Sequence, residues 1–144
     1  MVAFPQISTM SPDTCRRQLG TEHVGRVGLP GEPPDVIPVN YIYDEDAVII
    51  RVDSSSVVTR HIGRTVSFEV DHYDVDARSG WSVLAAGVLE DVTIEVAGRW
   101  ATERQVRLYP WAPGNKDLWL RVRPIRLSGR RVRAATAGAD DDKA

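Results

Sequence analysis

The chain is poor in cysteine and lysine, and it has no long apolar run. Cys15 is the one cysteine among its 144 residues, so no intrachain disulfide can form and a reducing compartment is expected. No apolar stretch reaches the roughly 18 residues that span a bilayer. Residues 1–10 lack the basic start and the apolar run of a signal peptide. The sequence therefore predicts a soluble, cytoplasmic protein without a membrane segment.

The rest of the composition is that of one folded domain. Hydrophobic residues make up 42% of the chain and charged residues 26%, which excludes wholesale disorder. A net charge of −2 gives no general attraction to nucleic acid or to anionic lipid. The C-terminal region is rich in arginine, which is one signature of nucleic-acid binding. However, Arg121 and Arg123 share one strand face, where they can balance acidic residues, and we expect no nucleic-acid partner.

The sequence contains no recognisable metal or nucleotide-phosphate motif. The histidines have no ligand-like spacing among themselves. Asp71, Asp74 and Asp76 lie close together, but no glycine and later glutamate follow where a calcium loop of the EF type needs them. We interpret this group as a solvated acidic turn. The glycines at positions 25, 28 and 31 do not precede Gly-Lys-Ser or Gly-Lys-Thr, so no phosphate loop of that type is predicted, and no metal site either.

Apolar and polar residues alternate over much of the chain after residue 22, which predicts strands. The predicted strands cover residues 23–29, 36–43, 47–52, 65–73, 81–96 and a region from 118 to 127 that Pro124 interrupts. Pro38 indicates an edge or a bulge, and Gly87 permits a sharp bend. Short helices are predicted at 11–20, 57–62 and 98–108. Many short antiparallel strands with few helices favour a closed or nearly closed barrel.

Cys15 and two tryptophans each have a structural and a functional explanation. Cys15 has arginines beside it, but a small buried hydrophobe is the favoured interpretation. Trp81 opens a strand after a turn, and Trp111 lies in a proline-rich segment. Core packing explains most tryptophans, while a planar heteroaromatic ligand needs similar neighbours. Both explanations stay open for Trp81 and Trp111.

A series of segments, taken in order, resembles the pyridoxamine-phosphate-oxidase-like split barrels. They are VGRVGL at 24–29, IPVNYIYDEDAVIIR at 37–51, VSFEVDHYD at 66–74, GWSVLAAG at 80–87, YPWAPG at 109–114 and LSGRR at 127–131. The resemblance implies a mostly β fold, a flavin-binding split β-barrel with a few short helices. We expect that barrel domain at residues 11–133, between a flexible N-terminus at 1–10 and a disordered acidic tail at 134–144.

Proteins of this kind are usually homodimers that hold FMN, or in some branches a deazaflavin coenzyme, in a groove between the subunits. The resemblance implies that Asn40 lies near the edge of the isoalloxazine ring. It also implies that Trp81 and Ser82 approach the same flavin from the other subunit. The residues implied at the ribityl phosphate are Arg51, Val52, Ser54, Ser55 and Ser56. The implied chemistry is hydride transfer to or from a small-molecule substrate.

The chain departs from its relatives at the phosphate. Where relatives often have Arg-Thr and later Lys, this chain has Arg51 followed by Val52, and then Val57. A hydrogen bond to a charged group contributes about 1.5–3 kcal/mol, so such a loss weakens phosphate binding. Arg60 and His61 offer a replacement: if residues 57–62 are helical, Arg60 shares the face of Val57 and can reach back to the phosphate. A solvated Arg60 is an equal alternative.

The resemblance makes an FMN- or deazaflavin-dependent oxidoreductase of unassigned substrate the first hypothesis. No residue has a clear acid–base role, so no catalytic residue is predicted, and Ser82 and Tyr41 are candidates only for polarising the ligand. Oxidases that form pyridoxal phosphate carry a longer C-terminal segment, so that reaction is not expected here. The alternative is a non-catalytic split-barrel binding module that has lost tight flavin binding, which Val57 favours.

Overall fold

The computed structural model describes residues 4–99 and 117–135 of the chain. Strands carry most of these residues: β1 (Gln6–Thr9), β2 (Val24–Leu29), β3 (Asp35–Asp44), β4 (Ala47–Val52), β5 (Thr65–Asp74), β6 (Ser79–Asp91), β7 (Leu118–Val122) and β8 (Arg126–Arg133). The helices are α1 (Pro12–Leu19), a 3₁₀ helix (Val57–His61) and α2 (Thr93–Arg99). The predicted class, mostly β with a few short helices, is confirmed.

A circuit of antiparallel strands closes into a barrel in the order β2, β3, β4, β7, β6 and β5. β8 pairs with β6 outside this circuit, and β1 pairs with β8, so the sheet continues beyond the barrel. β6 pairs first with β5 and β8 and then, from Leu89, with β7. A Cβ atom at Gly87 would overlap the carbonyl oxygen of Arg123, which explains why a glycine stands where the sequence predicts a bend. The predicted split barrel is confirmed.

Alternate residues of the strands fill the interior of the barrel. Tyr41 and Phe68 are fully buried there and meet edge to face, with ring centroids 4.8 Å apart and planes at 67°. α1 adds Cys15 and Leu19 to the same core. Burial raises the pKa of the Cys15 thiol, so this cysteine is the buried hydrophobe that the sequence predicts.

The sequence predicts one strand over residues 81–96, but the structure has α2 from Thr93 onwards. The C-terminal end of the predicted strand is therefore wrong. β6 ends at Asp91, whose Oδ1 accepts hydrogen bonds from the Thr93 backbone N–H (3.0 Å) and from Thr93 Oγ1 (2.6 Å). Such a side chain satisfies an otherwise unpaired donor at a helix start. Val92 and Val96, one helical turn apart, then pack on the outside of the barrel against Trp119. The apolar residues of this segment alternate in sequence, which is why the sequence predicts a strand here.

The other predicted boundaries fall near those observed. Ser11 Oγ accepts from the Thr14 N–H (3.2 Å) at the start of α1, and the 3₁₀ helix lies within the predicted helix at 57–62. Pro38 lies in a part of β3 that pairs with β2 but not with β4, which agrees with the predicted edge position. β1 lies in the segment predicted to be flexible; its residues are all exposed and carry no strand pattern.

Several predictions concern residues outside the described ranges. They are the helix at 98–108 beyond residue 99, the segment around Trp111, and the acidic tail beyond residue 135. Within the described ranges, no helix combines the length and the apolar character needed to cross a membrane.

Candidate functional site

The loop at residues 53–56 joins β4 to the 3₁₀ helix, and its polar groups are already paired within the chain. Asp53 Oδ1 accepts hydrogen bonds from the Ser55 backbone N–H (2.8 Å) and from Ser55 Oγ (2.7 Å). Asp117 Oδ1 accepts one from the Ser54 backbone N–H (3.3 Å). Ser56 Oγ accepts from the Val58 N–H (3.2 Å) and so caps the helix. Two carboxylates therefore accept from the N–H groups of Ser54 and Ser55, while the Ser56 N–H donates to the Asp53 carbonyl oxygen (2.9 Å).

Arg51 and Val52, at the end of β4, point to opposite faces of the strand. Val52 is 5% exposed and belongs to the barrel core, so its side chain does not reach a groove outside the barrel. Arg51 is half-buried on the outer face, where its guanidinium carbon lies 4.8 Å from the centroid of the Trp119 ring. Trp119 is the cross-strand partner of Arg51. This stacking holds the guanidinium at the start of the loop.

The 3₁₀ helix sends successive side chains in different directions. Val57 packs against the barrel core, and Val58 is fully buried. His61 is 8% exposed, with Nε2 lying 2.9 Å from the Pro30 carbonyl oxygen and Nδ1 lying 3.4 Å from that of Val57. The expectation that His61 helps to replace a phosphate ligand is therefore wrong, because its ring is turned inward and engaged by the backbone. Arg60, in contrast, is exposed.

The predicted residues of β6 lie apart from the loop. Trp81 is 7% exposed and packs in the barrel core, while Ser82 is half-buried on the opposite face of the strand. β6 and β4 are not hydrogen-bonded neighbours in the sheet. One chain therefore brings Arg51 and the loop serines together but leaves Trp81 and Ser82 on a different strand. A cleft of about 290 Å³ has Trp81, His72 and Arg131 among its lining residues.

Asn40 and Tyr41, which are neighbours on β3, have different environments. Asn40 is half-buried and pairs with Val24 of β2. Tyr41 is 1% exposed, and its hydroxyl donates to the Leu19 carbonyl oxygen over 2.6 Å. Burial raises the pKa of this hydroxyl far above its ordinary value. The suggestion that Tyr41 polarises a ligand is therefore wrong: its hydroxyl anchors α1 to the barrel.

A charged cluster on the outer face of the barrel was not found from the sequence. Arg26 Nη2 lies 2.7 Å from Glu69 Oε1 and 2.9 Å from Asp71 Oδ2. Burial and the neighbouring Asp71 raise the pKa of Glu69, although Arg26 acts in the opposite direction. Asp71 is also the cross-strand partner of Ser82. The carboxylates alternate along β5, but only the register of β2 against β5 places Arg26 between them.

A second cleft, of about 440 Å³, lies against α2 outside the barrel. Its lining residues are Glu45, Ile49, Val92, Glu95, Val96, Arg121 and Arg123. Arg121 bonds to Glu90 (2.9 Å) and Glu95 (3.3 Å), so the prediction that it balances acidic residues is confirmed. This cleft is not predictable from the sequence pattern, because it depends on α2, which lies where the sequence predicts the end of a strand.

The closed barrel, extended by β8 and β1, defines the class of this protein as a split barrel. A family model described as pyridoxamine 5'-phosphate oxidase matches residues 11–131. The chain belongs to this family. The resemblance inferred from the sequence is thereby confirmed.

The chain is also similar to a protein of known sequence and to several solved structures that share its fold. The uncharacterized protein Rv0080 of Mycobacterium tuberculosis is 27% identical over 135 residues, covering 88% of this chain and 86% of that protein. A provisionally assigned pyridoxamine 5'-phosphate oxidase from Corynebacterium glutamicum is 27% identical with a TM-score of 0.71, covering 90% of this chain and 96% of that chain. The FAD binding protein from Mycobacterium smegmatis is 23% identical with a TM-score of 0.68, covering 89% and 100% respectively.

The residues implied at a flavin have different environments. Asn40, which already has an interaction within the protein, and Ser82 are half-buried polar side chains on β3 and β6. At the loop, the backbone donors of Ser54 and Ser55 already meet carboxylates, and the hydroxyl of Ser56 caps a helix. The loop as it stands is therefore a poor receptor for a phosphate monoester.

Proposed function

We propose that this chain is a flavin-dependent oxidoreductase that acts as a homodimer, with FMN or a deazaflavin coenzyme between its subunits and an unassigned small-molecule substrate. The observation that carries the proposal is the family match over residues 11–131, combined with a closed barrel on whose outer face Arg51 is stacked on Trp119. The name of the Mycobacterium smegmatis neighbour, an FAD binding protein, supports a flavin in general rather than FMN.

The chain's own residues would bind and orient the cofactor. Arg51 is held over Trp119, so its guanidinium has little freedom to lose when it meets a ligand. Ser82, half-buried on β6, offers a side-chain hydroxyl, while Asn40, half-buried on β3, would exchange an existing interaction for one with the ligand. When bound, a flavin supplies hydride transfer, and the protein supplies orientation and polarity around it. We assign no acid–base role, because Tyr41 is engaged by Leu19.

An apolar strip on β6 supports the homodimer. Leu84 and Val88 are 50% and 40% exposed, and the half-buried Ala86 lies between them on the outer face. Ile125, 77% exposed, is bonded through its backbone N–H to the Ala86 carbonyl oxygen. We call Leu84, Ala86, Val88 and Ile125 the apolar strip. Contiguous exposed apolar residues mark interaction surfaces, and a second copy of the chain would cover this one.

Spectroscopy and sedimentation test the proposal together. We expect the purified protein, alone or after incubation with FMN or the deazaflavin, to retain stoichiometric cofactor through gel filtration and to sediment as a dimer. Leu84→Asp should give a folded monomer that has lost its cofactor, while Tyr73→Asp, at an exposed position on β5, should behave as wild type. A monomer in all preparations, or a dimer that retains neither cofactor, would contradict the proposal.

A non-catalytic binding module is the second candidate, and the loop favours it. If the flavin phosphate lies at this loop, the carboxylates of Asp53 and Asp117 already take the N–H groups of Ser55 and Ser54, and Val57 supplies no cation. Under this alternative the dimer binds a small molecule without turnover. Reduction of a bound flavin by a nicotinamide cofactor or another donor would distinguish the enzyme from the module.

The remaining expectations belong to the same proposal. We propose a cytoplasmic protein, supported by one fully buried cysteine, and a barrel domain at residues 11–133. We propose neither formation of pyridoxal phosphate nor a nucleic-acid partner.

A further inference from the structure

We infer that the cleft of about 290 Å³ beside Trp81 is a binding site for a small organic carboxylate, whose charged end is held by Arg131 and Arg133. The chemical class of ligand is a single-ring molecule that carries one carboxylate. The inference does not rest on the flavin-dependent function, because the cleft and Ser82 lie on opposite faces of β6.

Strand register assembles the cleft from residues that are distant in sequence. Trp81 of β6 is the cross-strand partner of His72 on β5 and of Arg131 on β8. Directly paired residues point to the same face of a sheet, so these three side chains form one row. Arg133 lies two residues beyond Arg131 and therefore on the same face. All four residues line the cleft.

The cleft opens where the cover of the barrel core ends. On this face of β8, Gly129 is buried beside Cys15 of α1. Further along the strand Arg131 is half-buried, and Arg133 is exposed. Trp81, 7% exposed, belongs to the core and gives the cleft an apolar lining. A guanidinium that is partly shielded from water in this way binds an anion more strongly than one in bulk solvent.

The surrounding charges leave both guanidinium groups available to a ligand. Within the described residues, neither Arg131 nor Arg133 forms an ion pair or a side-chain hydrogen bond. Glu22 has a partner of its own, because its Oε1 lies 3.2 Å from His72 Nδ1. Asp74 is the one carboxylate among the described residues that line the cleft. Two arginine side chains therefore face a single lining carboxylate.

The shape and chemistry of the cleft define the class of ligand. A planar guanidinium binds a carboxylate through two parallel hydrogen bonds. The lining also includes Trp81 and Val132, which offer apolar contact to an organic body and nothing to an inorganic anion. The volume of about 290 Å³ is at the lower end of the roughly 300–1,000 Å³ that small-molecule pockets span. One ring with a carboxylate suits this size, and a flavin is too large for it.

The proposed dimer leaves the cleft accessible. Successive residues of a strand point to opposite faces, so Trp81 and Ser82 do not share a surface. Leu84, in the apolar strip, lies on the face of Ser82. A second copy of the chain seated on the apolar strip would therefore not cover the cleft, and the two sites can be tested separately.

Isothermal titration of the full-length protein with benzoate tests the inference. Wild type should bind one equivalent with a Kd below about 1 mM. Benzamide, which has the same ring and no charge, should bind at least about tenfold more weakly. The acidic residues at 140–142 are present in every titration, so wild type itself must bind benzoate for the inference to stand.

Variants of the two arginines assign the charged end of the ligand. Arg131→Gln should weaken benzoate binding about tenfold or more. Arg131→Lys keeps the charge without the planar fork and should be intermediate. Arg133→Gln, at the more exposed position, should weaken binding by about threefold or more. Arg126→Gln, exposed on the opposite face of β8, is the matched control and should bind benzoate as wild type does.

Three results would overturn the inference. The first is wild type that does not bind benzoate, and the second is equal affinity in wild type and Arg131→Gln. The third is displacement of benzoate by an equal concentration of inorganic phosphate, which would show a site for any anion. The flavin-dependent function is judged separately: Arg131→Gln should retain flavin as wild type does. Leu84→Asp should still bind benzoate, and loss of benzoate binding there would contradict the separation of the two sites.

Discussion

His61 Nε2 lies 2.9 Å from the carbonyl oxygen of Pro30, so a buried imidazole joins the 3₁₀ helix to the segment that follows β2. His61 is 8% exposed, and the helix it anchors comes directly after the loop at 53–56. The position of that loop therefore depends on a residue that itself does not reach the loop.

Removing this anchor should destabilise the fold. His61→Ala leaves the Pro30 carbonyl without its partner, and we expect the free energy of unfolding to fall by about 1–3 kcal/mol. Urea unfolding followed by circular dichroism would measure this change. Arg60→Ala, at the exposed neighbouring position, should change stability by less than about 0.5 kcal/mol. Equal effects of the two substitutions would show that the Pro30 contact contributes nothing.

Arg60 has a separate test at the proposed cofactor site. If its guanidinium reaches the flavin phosphate, Arg60→Ala should weaken FMN binding about tenfold and leave riboflavin binding unchanged. Isothermal titration with both ligands would measure this difference. FMN binding equal to that of wild type would identify Arg60 as a solvated side chain, the alternative that the sequence left open.

Gly129, in the LSGRR segment, should not tolerate a side chain. A Cβ atom there would lie 2.6 Å from Cys15 Sγ and 3.0 Å from Met10 Cε. We expect Gly129→Ala to lower the free energy of unfolding by about 1–3 kcal/mol. Gly28→Ala, whose Cβ would lie 3.4 Å from the Ser67 Cβ, is the matched control and should cost less.

Truncating Cys15 should relieve the strain of Gly129→Ala. In a Cys15→Ala background the sulfur is gone, so the added cost of Gly129→Ala should shrink by about 1 kcal/mol or more, as a double-mutant cycle would show. Equal losses of stability in the two backgrounds would mean that contact with Cys15 is not the reason why position 129 requires a glycine.

The cluster of Arg26, Glu69 and Asp71 should give stability a pH dependence. Burial raises the pKa of Glu69 above its ordinary value of 4.5. At pH values between 4.5 and the pKa of Glu69 in the folded state, the folded chain therefore binds more protons than the unfolded chain. The free energy of unfolding should therefore fall as the pH rises from 4.5 through the folded pKa. Glu69→Gln should flatten this slope, and Glu32→Gln, in an exposed loop, should not. An unchanged slope in Glu69→Gln would assign the dependence to another group.

Local sequence patterns were enough to predict much of the fold. Alternation located β2 to β5 within a few residues, and Gly87 marked the turn of β6 because close backbone approach requires glycine there. The segment after Asp91 is predicted wrongly. Val92, Ile94 and Val96 alternate like the residues of a strand, but Asp91 accepts the Thr93 N–H and the segment forms α2. An aspartate that accepts the N–H two residues further on is a local signal of a helix start, but a run of β-branched residues favours a strand.

The candidate site was less predictable because it depends on contacts distant in sequence. Arg51 and the loop serines are adjacent in the chain, which makes them predictable, but the carboxylate that accepts from the Ser54 N–H belongs to Asp117, 63 residues further along the chain. The sequence places His61 next to Arg60 as a possible phosphate ligand, whereas tertiary packing buries its ring against the Pro30 carbonyl. Arg26 meets Glu69 and Asp71 only through strand register, which a single sequence does not specify.

Retention of a flavin by the purified protein tests the central claim most directly. The protein would be incubated with riboflavin, FMN and the deazaflavin in turn, passed through gel filtration, and its visible absorption recorded. We predict stoichiometric retention of at least one of these compounds, and a loss on the order of tenfold in affinity in Arg51→Ala. A colourless protein after all of these incubations would contradict the flavin-dependent function and leave the split-barrel binding module in its place.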